Sequence, residues 1–138
     1  MKTHVLDANA LYRFLQNGPG ADIVEQLFKE ANRAHTPVLM SVVNWGEVHY
    51  TITRDSGIAV ANAALKQLEN LPVAVLMAEM EQTRSAAVLK ASYGLPYADC
   101  FAAALTGQSG VLVTADVKDF ARIPWLQMLA LPVHRPGR

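Results

Sequence analysis

His4-Val5-Leu6-Asp7-Ala8-Asn9-Ala10-Leu11-Tyr12 opens the chain with a short apolar run that halts at an acidic residue and then changes to helical spacing. Val5 and Leu6 predict a buried strand ending at Asp7, and Asn9 is placed to cap a helix running through Leu11, Tyr12, Phe14 and Leu15. A strand that stops at a carboxylate and turns at once into a helix is the unit from which parallel αβ sheets are built. The remaining sequence repeats that alternation.

Asn17-Gly18-Pro19-Gly20 ends the first helix. Ile23, Val24, Leu27, Phe28 and Ala31 then mark one apolar face of a helix over 21–34. After Pro37 comes a strand, Val38-Leu39-Met40, with Ser41 as the cap of a helix from Val42 to about Thr53. Gly57 separates this from a helix at Ala59 to Leu71, and Pro72 introduces a strand, Val73-Ala74-Val75-Leu76. Met80 to Ser92 and, after Gly94-Leu95-Pro96, the alanine-rich Tyr97 to Thr106 read as helices. Val111-Leu112-Val113-Thr114 is a further strand, followed by a helical turn around Lys118-Asp119-Phe120, an edge strand near Gln127 to Leu131, and a loose tail over about 131–138. The expectation is one domain over 1–138, a three-layer α/β/α arrangement around a central, mostly parallel sheet of four to five strands.

Composition narrows the possible chemistry. Charged residues are 17% of the chain and apolar residues 51%, against about 25% charged in an ordinary globular protein. Apolar surface is therefore left over for a partner. Val42, Val43, Trp45, Ile52, Ile58, Val60 and Leu65 are the residues expected to supply it, to a second copy or to a docked segment. Twelve basic residues balance twelve acidic ones, so any grip on a polyanion rests on a local patch or on bound metal. The lone Cys100 excludes an internal disulfide and a cysteine zinc site, and a reducing cytoplasm is the expected compartment. No signal-peptide pattern follows Met1 and no apolar run reaches about 20 residues, so no membrane association is expected.

Four segments carry acids to sites that a parallel sheet would gather at one edge: Asp7 after the first strand, Glu47 in Trp45-Gly46-Glu47-Val48, Asp99 in Tyr97-Ala98-Asp99-Cys100, and Asp116 after Val113-Thr114-Ala115. In open αβ sheets, ligands sit beyond the carboxyl ends of the strands. Gathered carboxylates repel one another and lose hydration, so four together call for a cation. Mg²⁺ and Mn²⁺ take oxygen ligands and keep several waters, which suits a few carboxylates and a substrate phosphate. Taken singly, Asp7 reads as well as a helix cap, Asp116 and Asp119 as turn residues, and Glu47 as a solvated helix residue. Asp99 resists such a reading, because Ala98, Cys100, Phe101 and Ala102 give it apolar surroundings.

Asp7-Ala8-Asn9, Asn44-Trp45-Gly46-Glu47-Val48, Pro96-Tyr97-Ala98-Asp99-Cys100 and Thr114-Ala115-Asp116-Val117-Lys118-Asp119-Phe120, in this order, resemble PIN-domain proteins of the VapC toxin type over about residues 4–131. The resemblance implies a Mg²⁺- or Mn²⁺-dependent endoribonuclease, usually a homodimer, held inactive by a small antitoxin. It carries the family's acidic set onto Asp7, Glu47, Asp99 and Asp116, with Asn9 and Thr114 as polar supports and Asp119 as a further member. The neutral overall charge departs from a basic nuclease. Arg13, Lys90, Lys118 and Arg122 are candidate phosphate contacts, and Tyr12, Trp45 and Tyr97 candidate stacking surfaces for an unpaired base. Glu47 is either a ligand of a second ion or a general base acting through water. Two other readings are a non-catalytic binding module of the same fold and a phosphatase or phospho-acceptor domain using Asp7, which Asn9 disfavours by standing where a second Asp would be needed.

Overall fold

Each strand in the computed structural model, which describes residues 1–134, is short and flanked by the breaks the sequence contains. The strands are β1 (His4–Leu6), β2 (Val38–Ser41), β3 (Val73–Leu76), β4 (Val111–Thr114) and β5 (Met128–Ala130). The helices are α1 (Ala8–Leu15), α2 (Ala21–Ala34), α3 (Val42–Ser56), α4 (Ile58–Lys66), α5 (Met80–Tyr93), α6 (Tyr97–Thr106) and α7 (Val117–Phe120). A 3-10 turn, Gln67–Asn70, takes over where the sequence suggested that α4 continues to Leu71.

The strands form one sheet in the order β3-β2-β1-β4-β5, and every pairing is parallel. All the carboxyl ends therefore lie at one edge. The chain winds outward from β1 through β2 to β3, then returns to the other side of β1 for β4 and β5. The order thus reverses between β1 and β4, where the connections leave in opposite directions and open a crevice. Leu6 is in register with Val113, which sets Asp7 and Thr114 side by side at that crevice.

Successive side chains along a strand point to opposite faces, and two cores result. Leu6 and Val113 join Leu11, Val24, Phe28, Val48 and Ile52 in a core under α1–α4. Val5 and Leu112 join Ala86, Leu89, Phe101, Ala102, Ala103, Phe120 and Ile123 in a core under α5–α7. The alanines of α6 let it approach the sheet closely. Gly110 starts β4 against the end of α6, where a β-carbon would stand 2.4 Å from the Thr106 carbonyl oxygen and 3.2 Å from that of Thr3. Only glycine fits there.

Three further expectations change. The cap of α1 is Asp7 and not Asn9: the Asp7 Oδ1 accepts from the Ala10 N–H at 2.7 Å, and Asn9 lies exposed in the first turn. The chain turns at once after Leu6, so the residue at the strand end is the one that reaches the free amides. The expected tail over 131–138 begins with a buried Leu131, whose N–H donates to the Thr114 carbonyl at 2.8 Å; residues 135–138 lie outside the described residues. The apolar surplus lies elsewhere than expected. Ile52 and Leu65 are core, whereas Met77, Met80 and Val88 join Ile58 and Val60 on the surface. Among the described residues no helix is long and apolar enough to cross a membrane.

Candidate active site

Asp7, Glu47, Asp99 and Asp116 line one cleft of ≈ 450 Å³ at the carboxyl edge of the sheet, together with Ala8, Asn9, Arg13, Ala115 and Val133. Each acid arrives by a different route. Asp7 and Asp116 follow the two central strands and cap α1 and α7, and Asp116 accepts from the Asp119 N–H at 3.4 Å. Glu47 stands in the second turn of α3, and Asp99 in the first turn of α6. All four sequence-predicted carboxylates therefore meet.

Thr114 connects two of them. Its buried hydroxyl accepts from the Asp116 N–H at 2.9 Å and also hydrogen-bonds the Asp7 side chain. Asn9 lines the cleft from its exposed side. Asp119 stands at the rim rather than in the lining, with Arg122 3.7 Å away.

The electrostatics are those of a site with surplus negative charge. Burial pushes Asp7 from 3.8 up to about 6, opposed by hydrogen bonds from Thr114 and Ala10 and assisted by repulsion from Glu47 and Asp116. Asp99 is pushed up to about 7 by burial first and then by Glu47, Asp7, Asp116 and Asp119. Asp116 is raised by burial and by Asp119, with Arg122 pulling the other way. Arg13 lines the cleft, but its guanidinium Nη1 donates to the Pro132 carbonyl and, at 3.1 Å, to the Pro19 carbonyl. That cation ties α1 to the chain's last described segment.

An all-oxygen donor set with protons held by burial and by mutual repulsion fits a hard divalent cation, which would lower each of these pKa values. Among the described residues, no group of three or more His, Cys, Asp or Glu side chains is placed to hold a metal ion by itself. The residues present suit an ion that keeps several waters and takes phosphate oxygens as further ligands.

The other candidates divide. Lys90, Lys118 and Arg122 are exposed and lie outside the cleft lining, with Arg122 beside Asp119. Tyr12 borders an adjoining hollow of ≈ 390 Å³ with Asn9, Glu47, Thr51 and Arg54. Trp45 turns away, stacking on His49 at 5.5 Å and lining a separate hollow beside Leu65 and Val75. His49 also meets Asn62 at 2.9 Å, away from the acids. Tyr97 packs on Phe101 with ring centroids 5.0 Å apart.

One residue escaped the sequence reading. Asn44 was visible only as part of a motif, yet its buried amide donates to Glu47 Oε1 at 2.9 Å and to the Ala98 carbonyl at 3.0 Å. The available signal was its spacing of three from Glu47, which puts both on one helix face.

Comparison with known proteins agrees with this fold. The family model described as PIN domain matches residues 4–126. Among curated proteins, no relative is found by sequence. Solved structures that the chain is similar to include DNA-bound VapBC from Salmonella typhimurium, at 18% identity and TM-score 0.77 over 94% of this chain and 98% of that one. VapBC-1 from nontypeable Haemophilus influenzae is similar at 23% identity and TM-score 0.69, over 93% and 97% of the two chains. Mycobacterium tuberculosis VapC20, described as a sarcin-ricin loop cleaving toxin, is similar at 16% identity and TM-score 0.63, over 86% and 94%.

Proposed function

Because this chain belongs to the PIN domain family, we propose that it is a single-domain endoribonuclease dependent on Mg²⁺ or Mn²⁺, and the toxin of a toxin–antitoxin pair. The observation that carries the nuclease reading is the meeting of four carboxylates in one cleft, two of them with strongly raised proton affinity. The toxin reading draws on the VapBC and VapC names of similar structures.

In this reading Asp7, Asp99 and Asp116 would hold the ion, with Glu47 beside them. The chemistry that a divalent ion would supply there is an acidified water and an offset to the charge growing on the phosphoryl oxygens. Thr114 fixes the Asp7 side chain, and the Ala10 N–H holds one of its oxygens, so the Asp7 carboxylate presents one geometry to a ligand. Asn9, exposed on the cleft wall, donates its amide to a phosphate oxygen. Glu47 has one oxygen held by Asn44, and its other oxygen accepts the proton of the attacking water. The new bond forms from water oxygen to phosphorus, the bond from phosphorus to the leaving ribose oxygen breaks, and solvent returns a proton to that oxygen. An unpaired base is taken in the hollow beside Tyr12.

An aspartyl-phosphate mechanism fits less well, since Asp7 is 4% exposed and one of its oxygens is engaged as a helix cap. An antitoxin would inhibit by laying an Arg or Lys side chain among the four carboxylates, and exposed Met77, Met80 and Val88 offer apolar surface to a second copy. The test is a time course of end-labelled structured RNA with the purified chain in Mn²⁺ or Mg²⁺ against EDTA. Discrete fragments are expected with either ion and none with EDTA. Fragments that form equally in EDTA would overturn metal dependence, and intact RNA with every structured and unstructured substrate would favour the binding-module reading.

A further inference from the structure

Asn44 is fully buried in the first turn of α3, and both N–H bonds of its amide are used. One goes to Glu47 Oε1 at 2.9 Å, on its own helix. The other crosses at 3.0 Å to the carbonyl of Ala98, the residue before Asp99 in the first turn of α6. The amide nitrogen therefore ties together two helix ends that each carry a cleft carboxylate. Those carboxylates repel one another, so nothing in their own charge would keep them close.

The third atom of the amide argues against a purely structural role. Asn44 Oδ1 is buried and has no hydrogen-bond partner among the described residues. An apolar side chain of the same size would avoid that unsatisfied acceptor, so packing alone does not call for an amide here. The donor side accounts for it: among uncharged side chains only a carboxamide offers two N–H groups in one plane, here to a carboxylate and a carbonyl.

Building on the nuclease reading above, we propose that Asn44 is a positioning residue, which holds one oxygen of Glu47 against α6 and thereby directs the other into the cleft at a fixed place relative to Asp99. It touches neither substrate nor ion and acts through Glu47. Supporting hydrogen bonds of this kind govern ligand orientation at metal centres, and their loss commonly costs about 10- to 100-fold in affinity or rate.

The test compares Asn44→Leu, Glu47→Ala and the double variant. Asn44→Leu is expected to melt within about 3 °C of the parent, since one unsatisfied atom leaves with the bonds that are lost. It should lower kcat for RNA by about 10-fold or more with KM unchanged, while Mn²⁺ affinity stays within about threefold of the parent's, because Glu47 takes the water's proton and the ion rests on the other three carboxylates. On the Glu47→Ala background the same change should add less than about twofold, because the partner through which it acts is gone. Independent, multiplying losses, or a lowered melting temperature with kcat intact, would overturn the inference in favour of a simple structural link between α3 and α6. If Asn44→Leu fails to fold, the nitrogen-15 signals of the Asn44 side-chain amide decide in the metal-free parent. Slow exchange and a shift on Glu47→Ala support the contact, and signals unmoved by Glu47→Ala overturn it. A parent chain that neither cleaves RNA nor binds Mn²⁺ fails the nuclease reading instead, and the same spectrum still reports whether Asn44 holds Glu47.

Discussion

Asp99→Asn is expected to abolish metal-dependent RNA cleavage while raising the melting temperature of the metal-free protein. The two effects have one cause. Asp99 is half-buried in the first turn of α6, and burial first, then repulsion from Glu47, Asp7, Asp116 and Asp119, pushes its pKa up to about 7. Above that pH, in the absence of a cation, its charge opposes folding; an amide of the same shape carries none. Because the group is partly solvated, water screens much of the repulsion, and a gain of about 1–2 kcal/mol is expected, or several degrees in melting temperature. The same substitution removes a charged oxygen from the set that holds the ion, so cleavage should fall by more than about 100-fold. Paired activity and melting measurements in EDTA and in Mn²⁺ check both halves. A variant that is less stable than the parent without metal and still cleaves would mean that Asp99 is an ordinary packed residue.

The metal-free protein should also lose stability as pH rises from about 5 to about 8, against the usual trend for a protein stabilised by carboxylate ion pairs. Asp7 and Asp99 both have folded-state values raised above 3.8, to about 6 and about 7. For a raised carboxyl the folded state binds the proton more tightly than the unfolded chain. Its stabilising contribution is complete below the unfolded value and disappears as pH passes through the folded one. Asp7 alone, almost wholly buried, accounts for on the order of 2 kcal/mol across that window. Mn²⁺ competes with those protons, so it should raise the melting temperature strongly near pH 8 and little near pH 5, by about 2.7 kcal/mol when present at about 100 times its Kd. A thermal melt series at several pH values, with and without Mn²⁺, measures this. A melting temperature flat across the window, or the same increment from Mn²⁺ at both ends, would contradict uncompensated charge in the cleft.

Most of the fold was legible because its signals are local. Val111–Thr114 and Tyr97–Thr106 are bounded by breaks that act within a few residues, and the structure ends both elements where the sequence does. The acidic set was legible for the same reason, since strand ends and first helical turns fix where Asp7, Asp116 and Asp99 emerge once the sheet is parallel. What could not be read is what depends on distant pairing. Strand order places Thr114 next to Asp7, and no local pattern encodes it. Asp7 and Asn9 compete for one cap, and the winner is decided by how sharply the chain leaves β1. Asn44 meets Ala98 across 54 positions of sequence, so its role waits on the packing of α3 against α6. Apolar exposure likewise moved from Ile52 and Leu65 to Met77 and Met80, because helix periodicity gives a face but not which side of the sheet covers it.

The central claim is that the cleft carboxylates hold protons in place of a divalent ion. Calorimetric titration of Mn²⁺ into the metal-free chain, repeated in buffers of different ionisation enthalpy, tests it directly. The prediction is saturable binding that releases protons near pH 6.5, where Asp7 and Asp99 are partly protonated, releases few near pH 8, and is weakened about 10-fold or more by Asp99→Asn. Absence of binding at both pH values, or binding of equal strength and equal proton release in Asp99→Asn, would contradict it.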